Sequence, residues 1–335
     1  MASLGLSVVI PFYSKDTDLS ATLQSLEESY ERLLFKQEFS LEILVINDSS
    51  PISPRGSRRL PIRQIDLPKN HGVGYARNEG IRESKFKHFL CLDSDILVPP
   101  DFFERVVEEI SSERKASLVQ GVVSSDILSE RPSLFQRYQA IFNFADAQIY
   151  QGNRSLLCSG CFLSTKEFFS SVGYFDETFA GSGGEEFEIL RRLPPGSIQQ
   201  STRIEVYHQY EGIFARLRKL WRRSRNYAAA AAFNPNFPTG LKLAGILRVA
   251  FAALAFLSLF GLFFVPVPAL AALAIAYFGL LLADGGAYAR YFFKKGGTRL
   301  LFSAPFFLFL EYFVAALGAL LHPILAVFIR KKYVE

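Results

Sequence analysis

Phe89-Leu90-Cys91-Leu92-Asp93-Ser94-Asp95 decides how this chain is read. Residues 89–92 form a continuous apolar run, which is how a strand covered on both faces of a parallel sheet looks. Two carboxylates, one residue apart, follow at its end. Residues i and i+2 of an extended segment point the same way, and ligands of open α/β sheets bind beyond the carboxyl ends of the strands. Asp93 and Asp95 can therefore face one ligand together. Paired hard oxygens at a strand end suit Mg²⁺ or Mn²⁺ carrying a phosphate-bearing substrate. So short a motif also fits a solvated acidic turn, and the rest of the chain has to separate the two.

Upstream and downstream of this run, apolar stretches alternate with helical patterns. Strands are predicted at 6–12, 41–46, 62–67, 88–92 and 118–123, with helices at about 18–34, within 71–84 behind Gly72 and Gly74, and at about 101–112. Pro99-Pro100 leads into that last helix, and Asp101 is placed to cap it. Such alternation predicts an α/β, Rossmann-like, mainly parallel sheet with helices on both faces. Residues 130–210 are less regular, with helical stretches near 134–150, 166–172 and 185–192 and a Gly-rich loop at 180–184.

The chain has 335 residues, half of them hydrophobic, and a formal net charge of +5. The hydrophobicity is uneven. Residues 1–240 have the composition of a soluble α/β protein, whereas Ala, Leu, Phe and Val dominate from about 243 onward. The basic excess therefore calls for a membrane before a nucleic acid. Between 214 and 225, Phe214, Leu217 and Trp221 recur at helical spacing among Arg216, Arg218, Lys219, Arg222, Arg223 and Arg225. This predicts a basic amphipathic helix lying on an anionic membrane surface. Hydrophobic segments at 243–264, 267–283 and 301–321 approach the roughly 20 residues a helix needs to cross a bilayer. The turn at 265–268 is uncharged, while the next loop holds Arg290, Lys294, Lys295 and Arg299. By the positive-inside rule both basic flanks of this hairpin lie in the cytosol. The third segment runs into Arg330-Lys331-Lys332, and a kink at Pro323 or a re-entrant path would keep that tail inside. The path of that segment stays open. Glu311 within it is costly in lipid and should face another helix or a polar cavity.

The first strand starts with no basic or long apolar stretch before it, so no signal peptide is expected and the N-terminal part is placed in the cytosol. Cys91, Cys158 and Cys161 fit a reducing compartment. The C-x-x-C at 158–161 has no second half that would complete a zinc site, and both cysteines read as small packed residues. The predicted domains are 1–212, a cytosolic catalytic domain; 213–240, the interfacial helix and linker; and 241–335, a transmembrane helical region.

Ser7 to Tyr13, Leu44 to Ser50, Asn70 to Gly80, Asp93 to Asp95, Val172 to Glu177 and Gly184 to Glu188 are motifs whose order, over about residues 5–210, resembles the family 2 glycosyltransferases, which have the GT-A fold. Ser7-Val8-Val9-Ile10-Pro11-Phe12-Tyr13 is similar to the family's opening strand, and Leu44-Val45-Ile46-Asn47-Asp48-Ser49-Ser50 to its V-D-D-G-S segment. The stretch from Asn70 to Gly80, with Ala76-Arg77-Asn78, resembles N-x-G-x-x-x-A-R-N-x-G. Asp93-Ser94-Asp95, Val172-Gly173-Tyr174-Phe175-Asp176-Glu177 and Gly184-Glu185-Glu186-Phe187-Glu188 complete the series. Asn47 stands where the family often has Asp, and Glu186 where it has the Asp of G-E-D.

The resemblance implies an inverting transfer of a sugar from a nucleotide-diphosphate sugar. Pro11, Tyr13, Asp48, Arg77 and Asp93 would bind the donor, with Asp48 meeting the base or ribose and Arg77 a base or diphosphate. Asp95, with Asp93, would hold Mg²⁺ or Mn²⁺ and help the diphosphate leave. His208 either joins that metal or diphosphate site or is structural. The catalytic base would be Glu186, with Glu185 as the alternative. The amphipathic helix favours a lipid-linked or surface-glycan acceptor at the cytosolic face of a cell (inner) membrane, crossed several times. A phosphate acceptor, such as a polyprenyl phosphate, is already ionised and needs no base. The rivals are a processive polysaccharide synthase, whose usual Q-x-x-R-W is absent, and a non-catalytic nucleotide-sugar sensor or scaffold. Nucleic-acid binding ranks last, because the basic residues cluster beside apolar segments.

Overall fold

The apolar runs at the start of the chain form β1 (Gly5–Phe12), β2 (Ser40–Asn47), β3 (Ile62–Asp66) and β4 (His88–Leu92). The computed structural model describes residues 5–14, 19–35, 38–52, 59–112, 117–129, 131–149, 160–177, 185–233 and 243–329. The Gly-rich stretch before Glu185, Cys158 and the basic tail after Ile329 lie outside these residues. α1 (Ser20–Leu34) and α2 (Val73–Glu83) connect the first strands. They are followed by β5 (Ile96–Leu97), α3 (Phe102–Ser111), β6 (Leu118–Val123), α4 (Leu134–Ile149), β7 (Cys161–Thr165), α5 (Lys166–Val172), α6 (Glu185–Arg192) and β8 (Ile198–His208). The remaining described elements are α7 (Ile213–Phe233), α8 (Leu243–Gly261), α9 (Pro266–Leu282) and α10 (Ala287–Ile329).

Among the described residues the strands order as β3-β2-β1-β4-β7-β6-β8-β5. β1 runs parallel to β2 and β4, β2 to β3, and β6 to β8. β7 lies antiparallel between β4 and β6, and β5 pairs antiparallel with β8. This is a Rossmann-like GT-A core with a mixed sheet, where a mainly parallel one was expected. The difference comes from β7 and β8. β7 is five residues long, and β8 carries Gln199, Gln200, Ser201 and Thr202 beside a register shift at Gln120/Val122, so neither shows a clean apolar period.

Burial alternates along the central strands. Val8, Ile10, Leu90 and Leu92 face a core filled by Leu23, Leu26 and Leu33 of α1 and Phe102, Phe103 and Val106 of α3. Val9, Phe89 and Cys91 face the opposite core, closed by Ala76 and Ile81 of α2, Phe169 of α5 and Ile189 of α6. Helices therefore cover both faces, as continuous apolar strands require. Asp101 precedes α3 but makes no side-chain cap; its carboxylate pairs with Arg105 one turn on, Oδ2 to Nη2 at 2.6 Å.

The chain forms two compact units, residues 1–124 with 150–209, and residues 125–149 with 210–335. α4, which nothing in the sequence separates from its neighbours, belongs with the C-terminal helices. In this second unit Glu311 of α10 accepts hydrogen bonds from Arg216 Nε (2.8 Å) and Tyr138 Oη (3.0 Å). Arg248 of α8 pairs with Asp284 at 2.8 Å and lies 4.6 Å from the centre of the Tyr288 ring. α8 and residues 287–321 of α10 are long and apolar enough to cross a membrane; α9 is shorter. The expected basic loop is the first arm of α10, which breaks at Gly297 (φ 69°) and runs past Pro323 to Ile329.

α2 approaches the sheet through Gly80. A Cβ there would collide with Val9 Cγ1 and sit 3.2 Å from Ile46 Cγ1. Overpacking of this kind costs about 1–3 kcal/mol. Gly80→Ala should lower stability by that amount in denaturant titration. Gly212→Ala, with no atom near the new Cβ, should stay within about 0.5 kcal/mol of wild type. Equal stability of the two variants would contradict the close packing of α2.

Candidate active site

β4 ends at Leu92, and the Asp93 N–H donates to the Gly160 carbonyl at 2.9 Å, which fixes where the side chain starts. Arg77, on α2, reaches Asp93 Oδ1 with Nη2 (2.8 Å) and Glu185 Oε1 with Nη1 (3.1 Å). Its guanidinium lies 5.6 Å from the centre of the Phe175 ring, and its side chain is only 2% exposed. Burial alone would lower the arginine pKa, but Asp93, Glu185 and Glu186 together hold it above the ordinary value. Beside it, burial pushes the Cys91 thiol up, so this cysteine stays protonated and adds no charge.

Local sequence explains how Arg77 gets there. Gly72 precedes α2 with φ 96°, a conformation that favours glycine. Asp48, at the end of β2, accepts the His71 N–H (2.7 Å) on one oxygen and the Gly72 N–H (2.8 Å) on the other. It thereby satisfies donors left open at the start of α2. Asn78, which the sequence reading passed over, donates to the Phe175 carbonyl (2.9 Å) and accepts the Phe175 N–H (3.0 Å). That clamp holds the aromatic ring beside Arg77. Its signal in the sequence was its place next to Arg77 in the same motif; its full burial explains why the amide needs these partners.

The other members of the two acidic pairs differ from the first. Asp95 is 37% exposed, and its Oδ2 lies 3.4 Å from His208 Nε2. The β5–β8 pairing, with Ile96 opposite His208, brings them together. His208 Nδ1 is 3.0 Å from the Gln209 carbonyl. Nε2 is therefore the ring nitrogen on the Asp95 side. Glu186 is half-buried, whereas Glu185 is 1% exposed and tied to Arg77. Among the described residues no three His, Cys, Asp or Glu side chains form a metal cluster. Asp95 with His208 is a two-ligand arrangement, which fits an ion whose remaining ligands are water and substrate phosphates.

Two of the residues expected at the donor have protein partners here. Arg77 is enclosed by Asp93, Glu185 and Phe175, because a buried guanidinium needs carboxylate partners. Asp48 is buried with both oxygens on backbone N–H groups. Pro11 lies within β1, past Val9 where the β4 ladder ends. Tyr13, just beyond β1, is 46% exposed. Asn47 donates to Asp66 Oδ1 (2.7 Å) and accepts the Ser50 N–H (3.0 Å). An amide serves here where a second carboxylate would face Asp66 directly.

Residues 7–173 match the family model described as glycosyl transferase family 2. The chain belongs to this family. A relative named poly-beta-1,6-N-acetyl-D-glucosamine synthase, from Staphylococcus epidermidis, is 25% identical over 183 residues, 51% of this chain and 42% of that protein. Validoxylamine A glucosyltransferase of Streptomyces hygroscopicus subsp. limoneus is 28% identical over 242 residues, 61% of this chain and 52% of that protein. The chain thus spans about half the length of these relatives. Among solved structures, the mannosyltransferase PcManGT from Pyrobaculum calidifontis, in complex with GDP-Man and Mn²⁺, aligns with a TM-score of 0.49 at 15% identity, over 95% of this chain and 86% of that one.

Removing one partner of a buried ion pair costs about 3–5 kcal/mol. Arg77→Ala in this family 2 glycosyltransferase should therefore lose that much stability, and Arg77→Lys should recover only part, since an ammonium cannot span two carboxylates as a planar fork does. Thermal unfolding of both variants checks this; full recovery by lysine would contradict the bridging geometry. Asn47→Asp should cost up to about 1 kcal/mol at neutral pH, the scale for like charges on neighbouring strands. Adding Asp66→Asn should restore it.

Proposed function

We infer that this protein transfers a sugar from a nucleotide-diphosphate sugar to a membrane-associated acceptor, with inversion at the anomeric carbon. The observation that carries this reading is the Arg77 bridge, which joins the strand-end acidic pair to the acidic start of α6. In each pair one carboxylate is tied to Arg77 and the other stays partly exposed. Asp95 and His208 would hold a divalent ion, which when bound neutralises the leaving diphosphate. Asp93 and Tyr13 would orient the donor. Glu186 would take the proton from an acceptor hydroxyl as its oxygen attacks the anomeric carbon. The new glycosidic bond forms as the bond from that carbon to the diphosphate oxygen breaks, and the nucleoside diphosphate leaves. Glu186 stands in the first turn of α6, where the helix N-terminus favours acidic residues.

The membrane part of the proposal is supported by the apolar helices of the second unit and by the basic face of α7. It puts the catalytic domain in the cytosol, at the inner face of a multi-pass membrane protein. The family resemblance and the amphipathic helix favour a lipid-linked or surface-glycan acceptor. A processive synthase has in its favour the name of the staphylococcal relative; product length on a purified acceptor separates the two.

Nucleoside diphosphate release by detergent-purified protein, across nucleotide sugars with Mn²⁺ or Mg²⁺, tests the activity. Asp95→Ala and chelation should abolish release. Glu186→Gln should slow transfer to a hydroxyl acceptor about 10²–10⁴-fold while donor binding persists. Unchanged transfer by Glu186→Gln to a phosphate acceptor would select the polyprenyl-phosphate branch. Donor binding without turnover on any acceptor would select the sensor reading.

A further inference from the structure

A cleft of about 280 Å³ opens in the second unit between the end of α4 and the first arm of α10, lined by Ile149, Ala287, Arg290, Tyr291 and Lys294. Arg290 and Lys294 are one helical turn apart, so they share a face. Both are exposed, and neither forms an ion pair with another described residue. Three described acids of the same unit have other partners. Asp146 accepts the Tyr288 hydroxyl at 2.5 Å, Asp284 is held by Arg248, and Glu311 by Arg216. The cleft presents two exposed cations, an aromatic hydroxyl and a short apolar wall.

Its position in the fold narrows the ligand. α9 ends with the exposed apolar residues Phe278 and Leu282, and Phe293 is exposed beside Lys294. The break at Gly297 then separates this basic arm from the long apolar part of α10. Cations at the end of apolar helices attract phosphate headgroups. A guanidinium offers two parallel donors to a phosphate, and an ammonium adds a point charge. The volume is below the usual range for whole small-molecule ligands, so it takes a headgroup and leaves a tail outside. We propose that the Arg290–Lys294 cleft binds the phosphate headgroup of a membrane lipid, with a prenyl-type or acyl tail running along the exposed apolar side chains. The inference rests on the membrane reading for the source of the phosphate.

The test uses the full chain in neutral detergent, titrated calorimetrically with a prenyl monophosphate, the matching prenyl alcohol, and inorganic phosphate. The monophosphate should bind at least about tenfold more tightly than the alcohol or inorganic phosphate, and R290Q/K294Q should lose at least about tenfold in affinity. R131Q/R203Q, which removes two exposed cations outside the cleft lining, should bind as wild type does. A287W should weaken binding by filling the cleft with no change of charge, which keeps the test valid if the double variant folds poorly. Equal binding by wild type and R290Q/K294Q, or by wild type and A287W, would overturn the site. Inorganic phosphate binding as tightly as the lipid would overturn the lipid assignment. Flotation with phosphatidylcholine vesicles tests the membrane reading separately: wild type that floats but shows no headgroup preference refutes only the cleft, and wild type that does not float refutes the membrane reading.

Discussion

The arrangement of the candidate site depends on one buried cation. Arg77 sits inside the protein, where an unpaired charge costs several kcal/mol, and its stability there requires Asp93 and Glu185 at 2.8 and 3.1 Å. Those partners come from the end of β4 and the start of α6. Satisfying one guanidinium thus brings two acidic pairs to the same place. In each pair the carboxylate nearer Arg77 is held, and its neighbour, Asp95 or Glu186, keeps access to what lies outside. The division of labour between positioning and reacting groups follows from electrostatics, before any substrate is considered.

Around that cation the other motif residues do supporting work. Asp48 holds the turn that starts α2, and Asn78 holds Phe175 against the guanidinium. The unusual Asn47 is the register partner of Asp66 and donates an amide N–H to its carboxylate. Its departure from the expected acidic pair is explained by local packing on β3.

The second unit applies the same physics in a more apolar setting. Arg216, Glu311 and Tyr138 join α7, α10 and α4, while Arg248 and Asp284 tie α8 to the α9–α10 junction. Ionisable groups among apolar helices persist only when paired. These pairs account for the placement of α4 with helices that begin some sixty residues later in the chain. Among the described residues, Arg290 and Lys294 of its cleft form no ion pair.

Much of this was legible in the order of residues. β1, β2 and β4 announced themselves as unbroken apolar runs, and the Gly-rich entry to α2, the basic face of α7 and the apolar helices were visible as periodicity or composition. Those signals are local, because burial of a strand or helix face imposes a repeat on the sequence itself. β7 and β8 carried no such repeat, since β7 is short and β8 is polar and irregular. The capping role of Asp48 and the burial of Arg77 were also hidden. Asp93 is sixteen residues from Arg77 and Glu185 is 108, and no periodicity spans that distance. The residue types and their motifs were determined by the sequence alone. Which carboxylate is held and which stays exposed was decided only when the sheet and α6 closed around the guanidinium, because desolvation exists only once the chain is folded.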